Sequence, residues 1–318
     1  MMSPKQRNHC RSLPPDVFTN LPDSVIDVIL MCLPCKDAVR TSILSKKWRY
    51  NWCRLTELTL DTSLWETKKD LLNPAVKFTK IIYQLLTLHE GRITKFTLNI
   101  VHLESCPKID NFILFLSRNG IQHLVLHFPR NKLCRLPSSL FTCSQLRHLT
   151  LHNCIIHHPS TFEGFDRLIS LELCEVTISS EMLESVISHC RLLERLVLEI
   201  SELLDIIEIN APMLRSFDFK GYISSLCLKN VPLLAKASLI GEDSYDAEYL
   251  NFAKLFESCP ALEYLILEFL DSEFFTDEVP TRLPFYLNGV KHFHLSHIVL
   301  KESYKLSCAL CFIRISQN

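Results

Sequence analysis

Residues Leu146 to Cys154 read LRHLTLHNC, and the spacing of their leucines decides how the rest of the chain is read. Leu146, Leu149 and Leu151 form the triplet L-x-x-L-x-L, in which the last two alternate as on a strand and share one face. The triplet recurs as Ile121/Leu124/Leu126, Leu168/Leu171/Leu173 and Leu193/Leu196/Leu198, so four successive copies are offset by 25, 22 and 25 residues. Leu55/Leu58/Leu60 opens the series. Leu214/Phe217/Phe219, Leu262/Leu265/Leu267 and Val290/Phe293/Leu295 continue it, and Asn153-Cys154 closes its own copy with polar-then-small residues.

Between these strands the apolar spacing predicts helices over 77–89, 109–118, 181–189 and 247–258. A strand and a helix every twenty-odd residues is the signature of a leucine-rich repeat. One such unit is too small to bury its own apolar face, so successive units must stack into a horseshoe. From Leu204 to Ile240 the rhythm changes: triplets fall at 204/207/209, 214/217/219, 223/226/228 and 234/237/239. Strands about ten apart, with alternate members about twenty apart, predict solenoid turns with a strand on each side and no helix. A doubly wound α/β sheet would need longer apolar strands and glycine-rich switch loops. The six glycines here never cluster. The expected class is α/β, with the solenoid spanning 55–318.

Ahead of the solenoid, Asn20 to Trp52 reads NLPDSVIDVILMCLPCKDAVRTSILSKKWRYNW. Pro22 suits a first helical turn, with Asn20 as a candidate cap. Val25 to Leu33 is apolar around nearly the whole circumference of the helix, whereas a surface helix needs one stripe. Pro34 ends it, 36–42 makes a second helix, and Ser45 is placed to cap a third through Trp52. Three helices in so few residues cannot enclose that apolar area. The expectation is that Ile26 and Ile29 are not both sealed within the chain, and that another protein covers what remains.

Leu21-Pro22, Leu33-Pro34, Lys36-Asp37-Ala38, Leu44-Ser45-Lys46 and Trp48-Arg49 together resemble an F-box. The stretch INAP…LRSFDFKG…LCLKNVP resembles plant F-box/FBD/LRR-repeat proteins, with Asn210-Ala211-Pro212 and Asn230-Val231-Pro232 at matching corners. The resemblance implies a three-helix F-box over 18–54 behind a flexible tail, 1–17. It implies docking of a Skp-type adaptor, and through it a cullin, by Leu21, Pro22, Ile26, Ile29, Leu33, Pro34, Leu44 and Trp48. The function implied is the substrate receptor of an SCF-type ubiquitin ligase. The alternative is a repeat scaffold that binds the adaptor without promoting degradation. Family members continue past a segment like LSCALCFIRIS into a C-terminal FBD domain, so the sequence reads as truncated, with a final helix over 305–315 left without a following strand.

Composition narrows the rest. A formal net charge of −1 gives no reason to expect nucleic acid or an anionic membrane as partner. No apolar run is long enough to span a bilayer. The first residues carry charge without an apolar core, unlike a signal peptide. Fourteen cysteines in such a chain read as reduced thiols of the cytoplasm or nucleus. Cys32-x-x-Cys35 and Cys308-x-x-Cys311 each lack a second pair nearby, so no metal or other cofactor is expected. None of the hydrolase, zinc-protease or phosphate-loop motifs G-x-S-x-G, H-E-x-x-H and G-x-x-x-x-G-K is present, so no catalytic residues are expected.

Within each triplet strand the residues beside the core leucines should face the concave surface. This places His123, His127, His148, His152, Glu172, Arg195, Glu199, Asp218, Tyr264 and His292 there as candidate contacts to a target protein. Adjacent strands lie about 4.8 Å apart, so His123 should reach His148, and His127 should reach His152. Positions four apart on one strand are separated by roughly 13 Å, so the four cannot share one ion. Solvated strand histidines are the simplest reading.

Overall fold

A computed structural model describes residues 20–64, 73–103, 106–130, 132–157, 162, 164–202, 204–223, 226–241, 255–269 and 289–296. In chain order the helices are α1 (Asp23–Met31), α2 (Cys35–Arg40), α3 (Pro74–Leu88), α4 (Ile109–Arg118) and α5 (Ser180–Ser188). The strands are β1 (Glu57–Leu60), β2 (Lys95–Asn99), β3 (His123–His127), β4 (Cys134–Arg135), β5 (His148–His152), β6 (Cys154–Ile155) and β7 (Ser170–Cys174). They continue as β8 (Arg195–Glu199), β9 (Ile207–Asn210), β10 (Ser216–Gly221), β11 (Leu226–Asn230), β12 (Lys236–Gly241), β13 (Tyr264–Phe269) and β14 (His292–Ser296).

Ten of these strands form one parallel sheet in the order β1-β2-β3-β5-β7-β8-β10-β12-β13-β14. The order follows the chain, as it must when each coil stacks on the last. Register stacks the fourth residues of the triplets, so Leu124, Leu149, Leu171, Leu196 and Phe217 form one buried row. Leu126, Leu151, Leu173, Leu198 and Phe219 form a second. Strand β2 carries a copy absent from the series read above, Ile93/Phe96/Leu98, whose three side chains are also buried.

Helices fill the back of the coils. α3 starts earlier than expected because Pro74 takes the first helical position and the Asn73 side chain accepts from the Ala75 amide at 2.8 Å. α4 keeps its expected bounds, and Ser179 caps α5 by accepting from the Met182 amide at 3.3 Å. Between β3 and β5 the helix is reduced to a 3-10 turn, Ser138–Thr142. In the ten-residue stretch, β10 and β12 join the main sheet while β9 and β11 pair in parallel apart from it. Asn153 closes its strand in the left-handed region, φ 58°, and its side-chain amide donates to the Phe128 carbonyl of the preceding coil at 3.4 Å. The helix expected over 247–258 lies largely outside the described residues; the tail 1–17 and the helix over 305–315 lie wholly outside them.

The N-terminal module departs from its expected detail. Pro22 itself is the cap residue of α1, its carbonyl accepting from Val25 and Ile26, and Asn20 lies outside the helix. α2 starts at Cys35 after Pro34, then runs into a 3-10 turn, Thr41–Ile43. No third α-helix follows: Ser45 Oγ is buried without a hydrogen-bond partner, and the chain passes through turns to a 3-10 segment, Asn51–Arg54. Ile26, Leu30, Ala38, Trp48, Trp52 and Cys53 join Leu55, Leu58, Leu60 and Phe78 in one continuous core. The Lys36 ammonium donates to the Ser63 carbonyl at 2.5 Å, and the Glu90 amide to that of Cys53 at 3.0 Å. The module thus covers the open end of the first coil, the role a terminal cap plays in a solenoid.

Candidate functional site

Helix α1 has two apolar sides. One, with Ile26 and Leu30, packs into the shared core. The other carries Val25, Val28 and Cys32 at i, i+3 and i+7, and all three are exposed, Val28 to 62%. Met31 flanks this stripe, and Ile43 (87% exposed) and Leu44 add apolar area in the following turn. The expected docking residues divide accordingly. Pro22, Pro34 and Leu44 are exposed; Leu21, Ile29 and Leu33 are half-buried against the core. Ile26 and Trp48, expected on the docking face, are instead interior at 0% and 1% exposure, because the first coil needs them as its cap. Val25, Val28, Met31 and Ile43, which the sequence reading did not single out, hold the exposed area. Apolar residues all around a helix give no phase, so only the packing shows which side is left over.

The second face is the outward side of the sheet, and strand register arranges it in rows. One row runs Glu57, Lys95, His123, His148, Ser170, Arg195, Ser216, Lys236, Tyr264, His292. Another runs Asn99, His127, His152, Cys174, Glu199, Lys220. Between them stand Thr150, Glu172, Val197 and Asp218. Nearly all are half-buried or exposed, and the register sets the ten candidate residues on this one side of the sheet. Charges are locally compensated: Lys95 pairs with Glu57 at 3.0 Å, Asp218 with Lys236 at 3.5 Å and Arg195 at 3.9 Å, and Lys220 with Glu199. Among the described residues no single-sign field extends over the face.

The histidines meet as the strand spacing requires. His123 stacks on His148 with ring centroids 4.2 Å apart, and His127 on His152 at 4.3 Å. Burial, more than any neighbouring charge, pushes all four imidazoles below their ordinary pKa. Farther along, Tyr264 stacks on His292 at 4.4 Å, beside Lys236 and Lys291 in a depression of about 410 Å³. The sequence reading did not bring Cys174 to this face. It is buried opposite His152 and beside Glu172, and its thiol is pushed up to about 12 by burial and then by Glu172, Glu199 and Glu175. No spacing motif flags it, because ladder neighbours lie a whole repeat apart in the chain.

The described residues thus form a repeat solenoid headed by a small helical cap, with one apolar and one mixed polar face exposed. Comparison with known proteins supplies the family. The F-box domain family matches residues 18–57, and the family described as FBD-associated F-box protein At5g56370, LRR repeats, matches residues 109–265. F-box/FBD/LRR-repeat protein At1g13570 of Arabidopsis thaliana is 34% identical over 311 residues, covering 96% of this chain and 74% of its own. F-box/FBD/LRR-repeat protein At5g56420 of the same plant is 27% identical over 293 residues, covering 81% of this chain and 66% of its own. Among solved structures, an internalin from Listeria monocytogenes has a TM-score of 0.40 at 14% identity, covering 84% of this chain and 75% of its own. The chain belongs to the plant F-box/FBD/LRR-repeat family, whose names point to an adaptor or receptor role.

Proposed function

We propose that the chain is the substrate-recognition subunit of an SCF-type ubiquitin ligase, working in the cytoplasm or nucleus. The exposed side of α1 with Ile43 and Leu44 docks a Skp-type adaptor, which links the chain to a cullin. The outward face of the sheet holds a target protein, and other subunits carry out ubiquitin transfer. The observation that supports this reading is the apolar side of α1, left uncovered by the solenoid that consumes its opposite side. A helix with such a stripe fits an apolar groove on a helical partner. The sheet face, mixed in charge and rich in histidine, suits a protein surface better than a polyphosphate backbone.

The test is co-purification of the full chain with a Skp-type adaptor and a cullin. Val28→Asp with Ile43→Asp should abolish adaptor capture without shifting the thermal melt, since both side chains already stand in water. Capture that survives this pair of substitutions would overturn the docking face. Retention of adaptor and cullin with an unchanged half-life of every bound target would favour the non-degradative scaffold instead.

A further inference from the structure

We propose that His152, Glu172 and Cys174 form a three-ligand site for a divalent zinc-class metal ion on the outward face of the sheet. His152 and Cys174 are register partners on β5 and β7, so their side chains rise from neighbouring coils on one side. Glu172 precedes Cys174 by two residues on the same strand and therefore shares that side. One donor atom from each of the three lies within 4.8 Å of the others, and Cys174 Sγ stands 4.0 Å from Glu172 Oε1. Zinc binds sulfur at about 2.3 Å and nitrogen or oxygen at about 2.0–2.2 Å, which sets tetrahedral ligand pairs roughly 3.5 Å apart. Little more than ~1 Å of movement, shared between two side chains, closes that difference.

The donor set is selective. Thiolate, imidazole and carboxylate together suit zinc and its neighbours, whereas calcium and magnesium take all-oxygen sites. The surroundings are acidic: Glu175 and Glu199 stand near Cys174 with Glu172, and Lys220 is the cation that opposes them. Among the described residues no basic side chain forms an ion pair with Glu172, while Lys220 is engaged with Glu199. The stacked His127 ring holds His152 from the side away from β7, and Thr150 Oγ1 donates to Glu172 Oε2 at 3.5 Å. On binding, the Cys174 S–H bond breaks, the proton leaves to solvent and the metal–sulfur bond forms. Three protein ligands leave a fourth position open toward the solvent side of the sheet. Water or a partner's carboxylate or imidazole completes it. The neighbouring pair His123 and His148 has Ser170 where the third ligand would stand, and serves as the internal control.

The experiment is a cobalt(II) and zinc(II) titration of the full chain. One cobalt per chain, with a thiolate-to-cobalt charge-transfer band in the near ultraviolet that zinc displaces, is expected. Cys174→Ser should abolish the band. His152→Gln and Glu172→Gln should each weaken zinc at least ~10-fold, since even outer residues of metal sites cost that much. His123→Gln with His148→Gln should leave affinity within about twofold. A cobalt spectrum without a thiolate band, or the same band in Cys174→Ser, overturns the site. If Cys174→Ser does not fold, the histidine and glutamate variants decide: unchanged zinc affinity in both overturns it. The adaptor-docking face plays no part in this site, so either proposal can fail alone.

Discussion

Helix α1 presents apolar side chains on two opposite sides, whereas strand β5 presents them on one. In β5, Leu149 and Leu151 find their cover in the equivalent leucines of β3 and β7, and the outward His148, Thr150 and His152 remain half in water. In α1, the solenoid covers Ile26 and Leu30 but has nothing for Val25 and Val28. Stacking is therefore a closed arrangement in the repeats and an open one at the cap. The exposed side of the cap is apolar, with Val25 and Val28 in water. The outward face of the sheet is polar and mixed in charge.

The contrast breaks first if the buried side of the cap proves dispensable. Trp48→Ala should cost about 3–5 kcal/mol in a urea denaturation, because it removes a fully enclosed ring from the core shared with the first coil. Tyr50→Ala, two residues on but exposed, should change stability by no more than about 0.5 kcal/mol. Equal effects would mean that the cap and the solenoid do not share a core. A smaller loss is expected within the sheet. Gly221 has φ 148°, and a Cβ built there lies 2.4 Å from the Ile200 carbonyl oxygen. Gly221→Ala should cost about 1–3 kcal/mol. A neutral result would show that β8 and β10 separate more readily than their register suggests. Smaller still is Val28→Asp, within about 0.5 kcal/mol by the same denaturation although it is directed at adaptor binding. A large loss of stability there would place Val28 against the chain itself.

Much of this was legible in the sequence, and what was not has identifiable causes. The alternation of L-x-x-L-x-L fixes which side of a strand meets the core, so the triplets predicted the buried rows, although Leu204 and, on the last described strand, Phe293 and Leu295 are only half-buried. Ile93/Phe96/Leu98 escaped because Phe96 lies 38 residues beyond Leu58, outside the twenty-odd-residue period. Ser45 has the propensity of a helix cap, yet a cap requires an amide to donate to it, and none reaches its hydroxyl. For α1 the apolar surplus was plain while its direction was not: Ile26 and Val28 are both β-branched aliphatics, and only the contacts of the first coil separate them. Cys174 was hidden for a different reason. Metal motifs are read along the chain, whereas the sheet joins residues 152 and 174 across it.

The weakest effect concerns the outward face alone. Desolvation lowers the pKa of His123, helped by Lys95 and Arg147 against Glu57, and desolvation likewise lowers that of His148, with His123 and Arg147 adding to it. In the unfolded chain both return to about their ordinary value of 6.5. As pH falls through that value the unfolded state takes up protons before the folded state does, so stability declines with acid. The contribution is complete above pH 6.5 and is lost as pH drops toward the folded values, below which it declines no further. The urea midpoint should therefore fall between about pH 7.5 and about pH 5.5, and His123→Gln with His148→Gln should make that fall shallower. Two solvated histidines free of each other would leave the slope unchanged on replacement. A slope that steepens would reverse the sign altogether and mean that the pair is held charged by carboxylates. In that case the stacked pair would be cationic in the folded chain.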